Sequence, residues 1–316
     1  MTIKYTIQGL FIYLTIAAYL LAFVATVAGR RKLVAPPPSG VIPAGGGWAI
    51  GQAIFAAGFL VAALSFGYRW YDVQHVPLQN LFEVFLFLGL VCYPISWFCG
   101  RYLRIAGPWA DMLIGAVVLF PAGFVFHAEP MQLPPALQSW LFAPHVMVYM
   151  LSYLFMAKAA CQAGAQLWRG RPALGGEGVP PSRLFRDAPA GCGQDARPRW
   201  PRHDTSRRTG TLALSPEQAT YELIVIGFPL LTLGLILGSW WGKLAWGDYW
   251  GWDPKELWSL ASWLVYLGYF HWRYMFGKRY PRGNSVWAIA GMLAIIITLL
   301  WVNLSRLFPG LHSYAT

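Results

Sequence analysis

The chain is a series of long apolar segments separated by shorter polar connections. Eight segments can be recognised, each near the roughly 20 residues that an α-helix needs to cross the hydrocarbon of a bilayer. They cover residues 7–28, 48–66, 80–97, 109–126, 142–165, 221–237, 257–276 and 285–304. The pattern predicts an all-α integral membrane protein with about eight transmembrane helices, of which the second and sixth are short and contain glycine.

The overall composition agrees with this class. Hydrophobic residues make up 57% of the chain and charged residues only 12%, whereas soluble domains carry about 25% charged residues. The first segment ends at Arg30-Arg31-Lys32 and is followed by no signal-peptide cleavage pattern. We therefore expect it to remain as a helix.

The distribution of basic residues predicts the orientation in the membrane. If the amino terminus lies outside, 19 of the 24 Lys and Arg residues fall on the inner side, as the positive-inside rule requires. Both termini then lie on the outer side, which is periplasmic or lumenal. Because topology accounts for most of the net charge of +11, the charge requires no nucleic-acid partner, and the lipid bilayer is the expected surrounding.

One connection differs from the others. Residues 166–220 contain nine arginines from Arg169 to Arg208, together with Pro, Gly and Ser. This composition predicts a disordered inner loop. The loop divides the chain into residues 1–165, with helices one to five, and residues 221–316, with helices six to eight.

A tryptophan-rich stretch precedes the seventh segment. Residues 240–263 contain seven of the chain's 17 tryptophans. Gly242, Gly247, Gly251 and Pro254 each weaken or end a helix, so the stretch predicts a rigid aromatic platform rather than a buried helix. The predicted topology places it on the outer face, where an interfacial aromatic belt is the alternative interpretation.

Three histidines are candidate iron ligands. His145 opens the fifth segment and His312 lies in the carboxyl-terminal tail, both on the side of the tryptophan-rich stretch. His271 lies about 20 Å along the seventh segment, and an ionisable group at membrane depth suggests a functional site. Imidazole is a standard axial ligand of haem iron, although each histidine could instead bond to backbone at the interface. The other three are His75, His127 and His203. The four cysteines form neither CxxC nor CxxCH.

Several ordered motifs match a known family. They are HVPLQNLFE at 75–83, LQSWL at 137–141 before His145, GFPLLT at 227–232, AWGDYWGWDPKE at 245–256, YFH at 269–271 with Arg273, and GLHSY at 310–314. From about Tyr68 onward the chain resembles the CcsA/ResC family of cytochrome c biogenesis proteins, which carry a tryptophan-rich "WWD" segment, here residues 240–258. Phe82 and Val84 depart from the family pattern, and neither departure touches the histidines.

The resemblance implies a haem-handling subunit of the system II cytochrome c synthetase. Haem b (iron protoporphyrin IX) would be its transported substrate. His145 and His312 correspond to the pair that ligates haem at the outer site. His271 corresponds to a ligand within the bilayer, whose companion comes from a CcsB/ResB-type membrane partner. The second protein partner is an apocytochrome c whose CxxCH thiols add to the haem vinyl groups, and thiol-reducing proteins are further candidates. The resemblance implies a bacterial inner membrane or a thylakoid membrane.

Roles for residues of the tryptophan-rich stretch follow from the chemistry of haem. Trp246, Trp250 and Trp252 are predicted to contact the macrocycle, because aromatic faces pack on it without competing for iron. Lys243 and Lys255 are candidates for pairing with the propionates.

Asp253 precedes Pro254 and is expected to shape the turn or cap the start of the seventh helix rather than touch haem.

Other interpretations of the function remain open at this point. A haem-delivery protein of the CcmC or CcmF kind is one alternative, although the continuation PKELW at 254–258 favours CcsA. A multi-spanning transporter that uses His271 and Glu83 as a proton relay is another, and a structural assembly subunit is a third.

Overall fold

The computed structural model describes residues 7–31, 46–126, 129, 135–169, 214–277 and 279–301. Within these ranges all regular secondary structure is helical. The helices are α1 (Ile7–Arg31), α2 (Gly46–Val73), α3 (Leu81–Tyr102), α4 (Pro108–Phe124), α5 (Phe142–Arg169), α6 (Pro216–Trp246), α7 (Pro254–Phe276) and α8 (Pro281–Ile296). A short 3-10 helix covers Pro135–Gln138, and a π-helical turn, Ile297–Trp301, continues α8.

The predicted fold class is confirmed. Six of the helices are long and apolar enough to cross a membrane, namely α1, α2, α3, α5, α6 and α8. The second and sixth segments, which were short and contained glycine, correspond to α2 and α6 and belong to this set. Helix α4 is apolar but has only 17 residues, and α7 falls outside the set because Ser, Tyr and Trp, with charged residues at both ends, replace much of its aliphatic surface.

The eight helices pack as two groups of four. Helix α1 packs against α2 and α4, and α3 completes that group through α4 and α2. In the second group α5 packs closely on α6 and α8, and α7 packs mainly on α8. Contacts of α3 and α4 with α5 join the groups, so the interface between the groups is where a cavity with walls from both can form.

Helix α6 corrects one expectation about the tryptophan-rich stretch. It continues to Trp246, so residues 240–246 are helical, and the non-helical platform is limited to residues 247–253. Helical Gly242 costs about 1 kcal/mol relative to Ala, but a Cβ at this position would lie 3.3 Å from the carbonyl oxygen of Asp248. The missing side chain therefore lets the chain fold back onto α6. Gly247, with φ +93°, ends the helix.

A buried ion pair joins the two groups in the interior. Lys158 of α5 binds Asp111 of α4, and both residues are almost fully buried. Ser96 of α3 donates a hydrogen bond to the same carboxylate at 2.5 Å. These bonds therefore connect α3, α4 and α5 at one point. Between α4 and α5 there are few other contacts.

A second polar cluster lies at the end of α7 that is distant from the tryptophan-rich stretch. Arg273 in the last turn of α7 binds Glu217 in the first turn of α6, and Asn284 in the first turn of α8 donates to Glu217 Oε1 at 3.0 Å. The guanidinium also lies 4.1 Å from the centre of the Tyr221 ring. The cluster holds three helix ends together and leaves the tryptophan-rich end to be shaped by other contacts.

The Asp111–Lys158 pair generates a prediction about stability. Lys158→Met leaves a buried carboxylate without its cation, and breaking such a pair costs about 3–5 kcal/mol. We expect a clear fall in the thermal unfolding midpoint of the detergent-solubilised protein, measured by circular dichroism. The double variant Asp111→Leu, Lys158→Met removes both charges and should recover most of the loss. A single variant as stable as the wild type would contradict this role.

Candidate functional site

A cavity of about 120 Å³ lies between the two helix groups at the tryptophan-rich end. One wall comes from the residues that lead into α3, and the others come from α5, α6, the 247–253 loop, the start of α7 and the π-helical turn. Four of the predicted site residues line it together: His145, Trp246, Trp250 and Lys255. The remainder of the lining is mostly apolar, so the cavity offers few polar groups at defined positions.

His145 is held in one orientation. Its Nδ1 lies 2.9 Å from the carbonyl oxygen of Gly234, and because a carbonyl only accepts, Nδ1 carries the proton. The ring stacks on Trp241 with centroids 5.8 Å apart and planes 21° apart, and it meets Tyr149 edge-on at 5.0 Å. In the neutral ring the lone pair then lies on Nε2, which is the arrangement that fixes a histidine as a metal ligand.

The ring reaches this position because α6 has no side chain opposite it. A Cβ on Gly238 would lie 2.5 Å from His145 Cε1 and 2.9 Å from Nδ1. One turn earlier, a Cβ on Gly234 would lie 2.9 Å from the Tyr149 ring. The GxxxG spacing of these residues allows the close approach of two membrane helices, and here the space is filled by an imidazole and a phenol.

Three indoles form the wall beside His145. Trp241 is 1% exposed and contacts Trp246 edge-on, with centroids 4.7 Å apart. Trp250, in the loop, completes this wall. The indole N–H of Trp250 is buried and has no hydrogen-bond partner among the described residues. A buried donor without an acceptor is costly, so it is suited to an acceptor that arrives with a ligand.

A capping box fixes the loop that carries Trp250. The backbone N–H of Lys255 donates to Asp253 Oδ2 at 3.1 Å, and the N–H groups of Gly251 and Asp253 donate to Glu256 Oε2 at 2.9 and 3.2 Å. Asp253 therefore caps α7, as predicted. The two carboxylates are occupied by backbone groups, and this explains why acidic residues stand in a site proposed to receive an anion.

Lys255 brings a basic group to the same cavity. It lies in the first turn of α7, before the apolar part of that helix begins at Leu257. Burial lowers the pKa of Lys255 to about 8, and the nearby Asp253 carboxylate opposes this shift. An anionic group placed beside the amine would favour its charged form.

The wall opposite the tryptophans is held by a buried ion pair. Arg69 Nε and Nη2 donate to Glu83 Oε1 at 2.9 and 2.8 Å, and the backbone N–H of Gln79 donates to Glu83 Oε2 at 2.8 Å. Asn80 caps α3 by accepting from the Glu83 N–H at 3.0 Å. These bonds fix the chain at 78–81 where it lines the cavity. Glu83 is thus tied to Arg69, which disfavours its use in a proton relay.

The remaining predicted residues lie elsewhere. Trp252 is 68% exposed and outside the cavity lining, although its ring meets Trp250 edge-on at 6.2 Å. Its φ of 57° is unusual for a bulky residue. Lys243 is exposed, with its amine 5.5 Å from the centre of the Tyr249 ring. His312 lies outside the described residues, as do His127, His203 and nearly all of the arginine-rich loop.

His271 lies near the end of α7 that is distant from the tryptophan-rich loop. It is 17 residues beyond Pro254, which corresponds to about 26 Å along α7. The side chain is exposed, and its Nδ1 lies 3.0 Å from the carbonyl oxygen of Leu267. Nδ1 again carries the proton, so the Nε2 lone pair is presented away from the helix axis to the surroundings.

Sequence reasoning missed Trp241, Tyr149 and the two glycines of α6 as parts of the site. The GxxxG spacing at 234–238 was visible and could have indicated a close helix contact. Nothing in the sequence showed that its partner would be His145. Among the described residues, no group of three or more His, Cys, Asp or Glu could hold a metal ion, so a metal bound here would need most of its ligands from a cofactor or from elsewhere.

Fold and site together define an all-helical membrane protein with an oriented histidine in a tryptophan-lined cavity. The family model for the cytochrome c assembly protein matches residues 78–309. The chain is 34% identical to the cytochrome c biogenesis protein CcsA of Synechococcus elongatus over 288 residues, which cover 84% of this chain and 87% of the relative. It is 32% identical to CcsA of Prochlorococcus marinus, with coverage of 87% and 86%. The chain belongs to the cytochrome c assembly protein family, which confirms the resemblance found in the sequence.

A solved structure shares the fold. The cytochrome c haem lyase CcmF superposes with a TM-score of 0.59 at 20% identity, over 97% of this chain. This chain spans 47% of the length of that protein. At this identity the likeness concerns the arrangement of the helices, which are therefore common to both proteins.

The contact between Gly238 and His145 generates a prediction. In Gly238→Ala the new methyl group would displace the imidazole and weaken its bond to Gly234, and overpacking of this kind costs about 1–3 kcal/mol. We expect a lower thermal unfolding midpoint in detergent. Gly67→Ala in α2 is the matched control, because a Cβ there meets no atom within 4 Å. Equal midpoints for both variants would contradict the packing argument.

Proposed function

We propose that this protein is the membrane haem-handling subunit of a system II cytochrome c synthetase, forming a holocytochrome c synthase with its partners. It would hold haem at the His145 cavity and position it for thioether formation with the CxxCH of an apocytochrome c. The observation that carries the proposal is the His145 imidazole, which is oriented by the Gly234 carbonyl in a cavity lined by Trp241, Trp246 and Trp250.

The residues of the site suit this chemistry without acting as strong acids or nucleophiles. In thioether formation a thiol adds across a vinyl group: a carbon–sulfur bond forms, and the thiol hydrogen goes to the other vinyl carbon. No electrons are transferred in the addition. The protein supplies orientation through His145, exclusion of water through the indoles, and a basic group, Lys255, for a propionate. Holding vinyl and thiol together supplies effective molarity, of order 10⁵ M in favourable systems.

His312 is the proposed second axial ligand. Thr298 and Leu299 of the π-helical turn line the cavity, so the chain leaves the described region beside the site. His312 follows Trp301 by 11 residues, and an extended chain of that length reaches up to about 36 Å. This reach is compatible with ligation on the other side of the iron from His145.

His271 is proposed to ligate haem within the bilayer together with a histidine of a CcsB/ResB-type partner. Its exposure on α7 supports this proposal, because a ligand shared between two proteins must lie on a surface that both can reach. Leu257 and Leu264, at heptad spacing on the same helix, are also exposed, so the surrounding face is suited to another membrane helix.

The proposed orientation places both termini and the tryptophan-rich end on the outer side of a bacterial inner membrane or a thylakoid membrane. The apocytochrome would then reach the His145 cavity without crossing the bilayer. The charge distribution of the sequence supports this orientation.

A haem-delivery role without attachment is the second candidate, because the His145 cavity would hold haem in the same way for either task. The two functions differ in product. A synthetase yields cytochrome c with covalent haem when produced with its partner, whereas a delivery protein requires an additional attachment enzyme.

Ligation by His145 and His312 predicts a specific pattern of loss and rescue. His145→Ala should lower the haem content of the purified protein at least tenfold and abolish holocytochrome formation, since the cavity offers no comparable iron ligand. Added imidazole should restore part of both by occupying the vacated coordination position. The measurements are the Soret absorbance per protein and the haem-stained cytochrome yield. The His145→Ala, His312→Ala double variant with full haem content would exclude this assignment.

The intramembrane role of His271 predicts a loss at a distance. His271→Ala, produced with its partner, should leave the outer site largely empty because haem would no longer be passed to it. Haem supplied directly to the detergent-solubilised variant should still bind at His145, and its spectrum should match that of the wild type. Normal loading of the outer site in cells producing the variant would remove His271 from the route.

A further inference from the structure

The His145 cavity is too small to contain haem alone. Its volume is about 120 Å³, whereas pockets for drug-sized ligands measure roughly 300–1,000 Å³. Haem is at least as large as such a ligand. Haem ligated by His145 must therefore extend into neighbouring space. Two larger spaces adjoin the cavity, and the residues that they share with it show where each connection lies.

The first space is a groove between α6 and α7, which we call the α6–α7 groove. It has a volume of about 540 Å³ and shares Leu235, Ser239 and Trp250 with the His145 cavity. Ile236 and Leu260 line the part of the groove that does not border the cavity. Trp250 therefore lines both volumes.

The second space is a cleft bounded by α4, α5 and α8, which we call the α4–α8 cleft. Its volume is about 800 Å³, and it shares Tyr153 and Leu299 with the His145 cavity. None of its lining residues is charged. Tyr153 follows His145 by eight residues, about 12 Å along α5, so this connection lies deeper in the molecule.

Chemistry favours the groove over the cleft. Haem carries two anionic propionates, and neither the groove nor the cleft has a charged lining residue, so a hydrogen-bond donor at the start of the space matters. The groove shares with the His145 cavity the buried Trp250 N–H, which has no partner among the described residues, whereas the Ser239 hydroxyl already donates to the Tyr249 carbonyl oxygen at 2.9 Å. Ser239 also directly follows Gly238, and the His145 ring packs against Gly238. The groove therefore begins one residue along α6 from the position that contacts the proposed iron ligand.

We propose that haem bound through His145 extends past Trp250 into the α6–α7 groove, so that Ile236 and Leu260 contact the porphyrin edge. The inference rests on the proposed function and adds binding residues outside the tryptophan-rich stretch. Tyr249, which is 60% exposed, lines the mouth of the groove. An edge of the macrocycle would thus be reached from the tryptophan-rich end, where an apocytochrome thiol would approach.

Introduced cysteines test the placement. A thiol near a vinyl group of reduced haem adds across the double bond, and the resulting thioether survives denaturation. Ile236→Cys and Leu260→Cys should each yield covalent haem in at least a tenth of the protein, seen as haem-stained bands and a blue-shifted pyridine haemochrome. Leu233→Cys is the matched control, because Leu233 is exposed on α6, the helix that carries Ile236, but lies outside the groove lining. Natural Cys161 already reports on the α4–α8 cleft, which it lines.

A second pair of variants covers the case in which no vinyl group faces an introduced thiol. Leu260→Trp fills the groove and should lower haem content at least threefold, whereas Leu233→Trp should not. Adducts at either groove cysteine, or this selective loss, support the inference. It is overturned if neither occurs, or if the adduct forms at Cys161. In all these variants the His145→Ala background should remove the signal. Haem binding that is independent of His145 would instead refute the proposed function.

Discussion

The close approach of α5 and α6 at Gly234 and Gly238 is the constraint on which the site depends. Hydrophobic burial does not drive two helices together within lipid, so small residues that admit close packing decide where they meet. Here the vacant side-chain positions admit the His145 and Tyr149 rings. The carbonyl of Gly234 then fixes the imidazole tautomer, and Trp241, less than one turn beyond Gly238, supplies the stacking surface. Helix packing and ligand orientation therefore come from the same few residues.

Polar bonds fix the parts of the cavity that helix packing does not. The Arg69–Glu83 pair holds the chain before α3, and the Asp253–Glu256 capping box holds the loop after α6. In both cases a carboxylate binds backbone N–H groups that would otherwise lack partners near a bilayer, where such groups are costly. Acidic residues thus build the walls around a site proposed to receive anionic propionates, and Lys255 is the cation that lines the cavity.

The sequence predicted the helices well because membrane insertion depends on local composition. Eight apolar segments became eight helices, and the cap at Asp253 followed from the local order of Asp, Pro and Glu. The end of α6 was predicted wrongly because Gly242 looked unfavourable for a helix. The reason for that glycine is a contact with the Asp248 carbonyl, which sequence alone does not reveal. Likewise, Trp246 and Trp250 could not be distinguished from Trp252 by composition, since the turn between them decides which indole lines the cavity.

A protein that hands haem on faces a different requirement from one that keeps it. A permanent haem pocket encloses the macrocycle, whereas the cavity beside His145 has room for little more than the neighbourhood of the iron ligand. The residues that orient the imidazole, namely Gly234, Gly238 and Trp241, are fixed by the packing of α5 on α6. Trp250, which is proposed to contact the porphyrin, lies on a short loop and lines both the cavity and the α6–α7 groove. Under the proposed function, this arrangement would favour ligation that is specific in geometry and still reversible, because release would require the exchange of an axial ligand rather than the separation of packed helices.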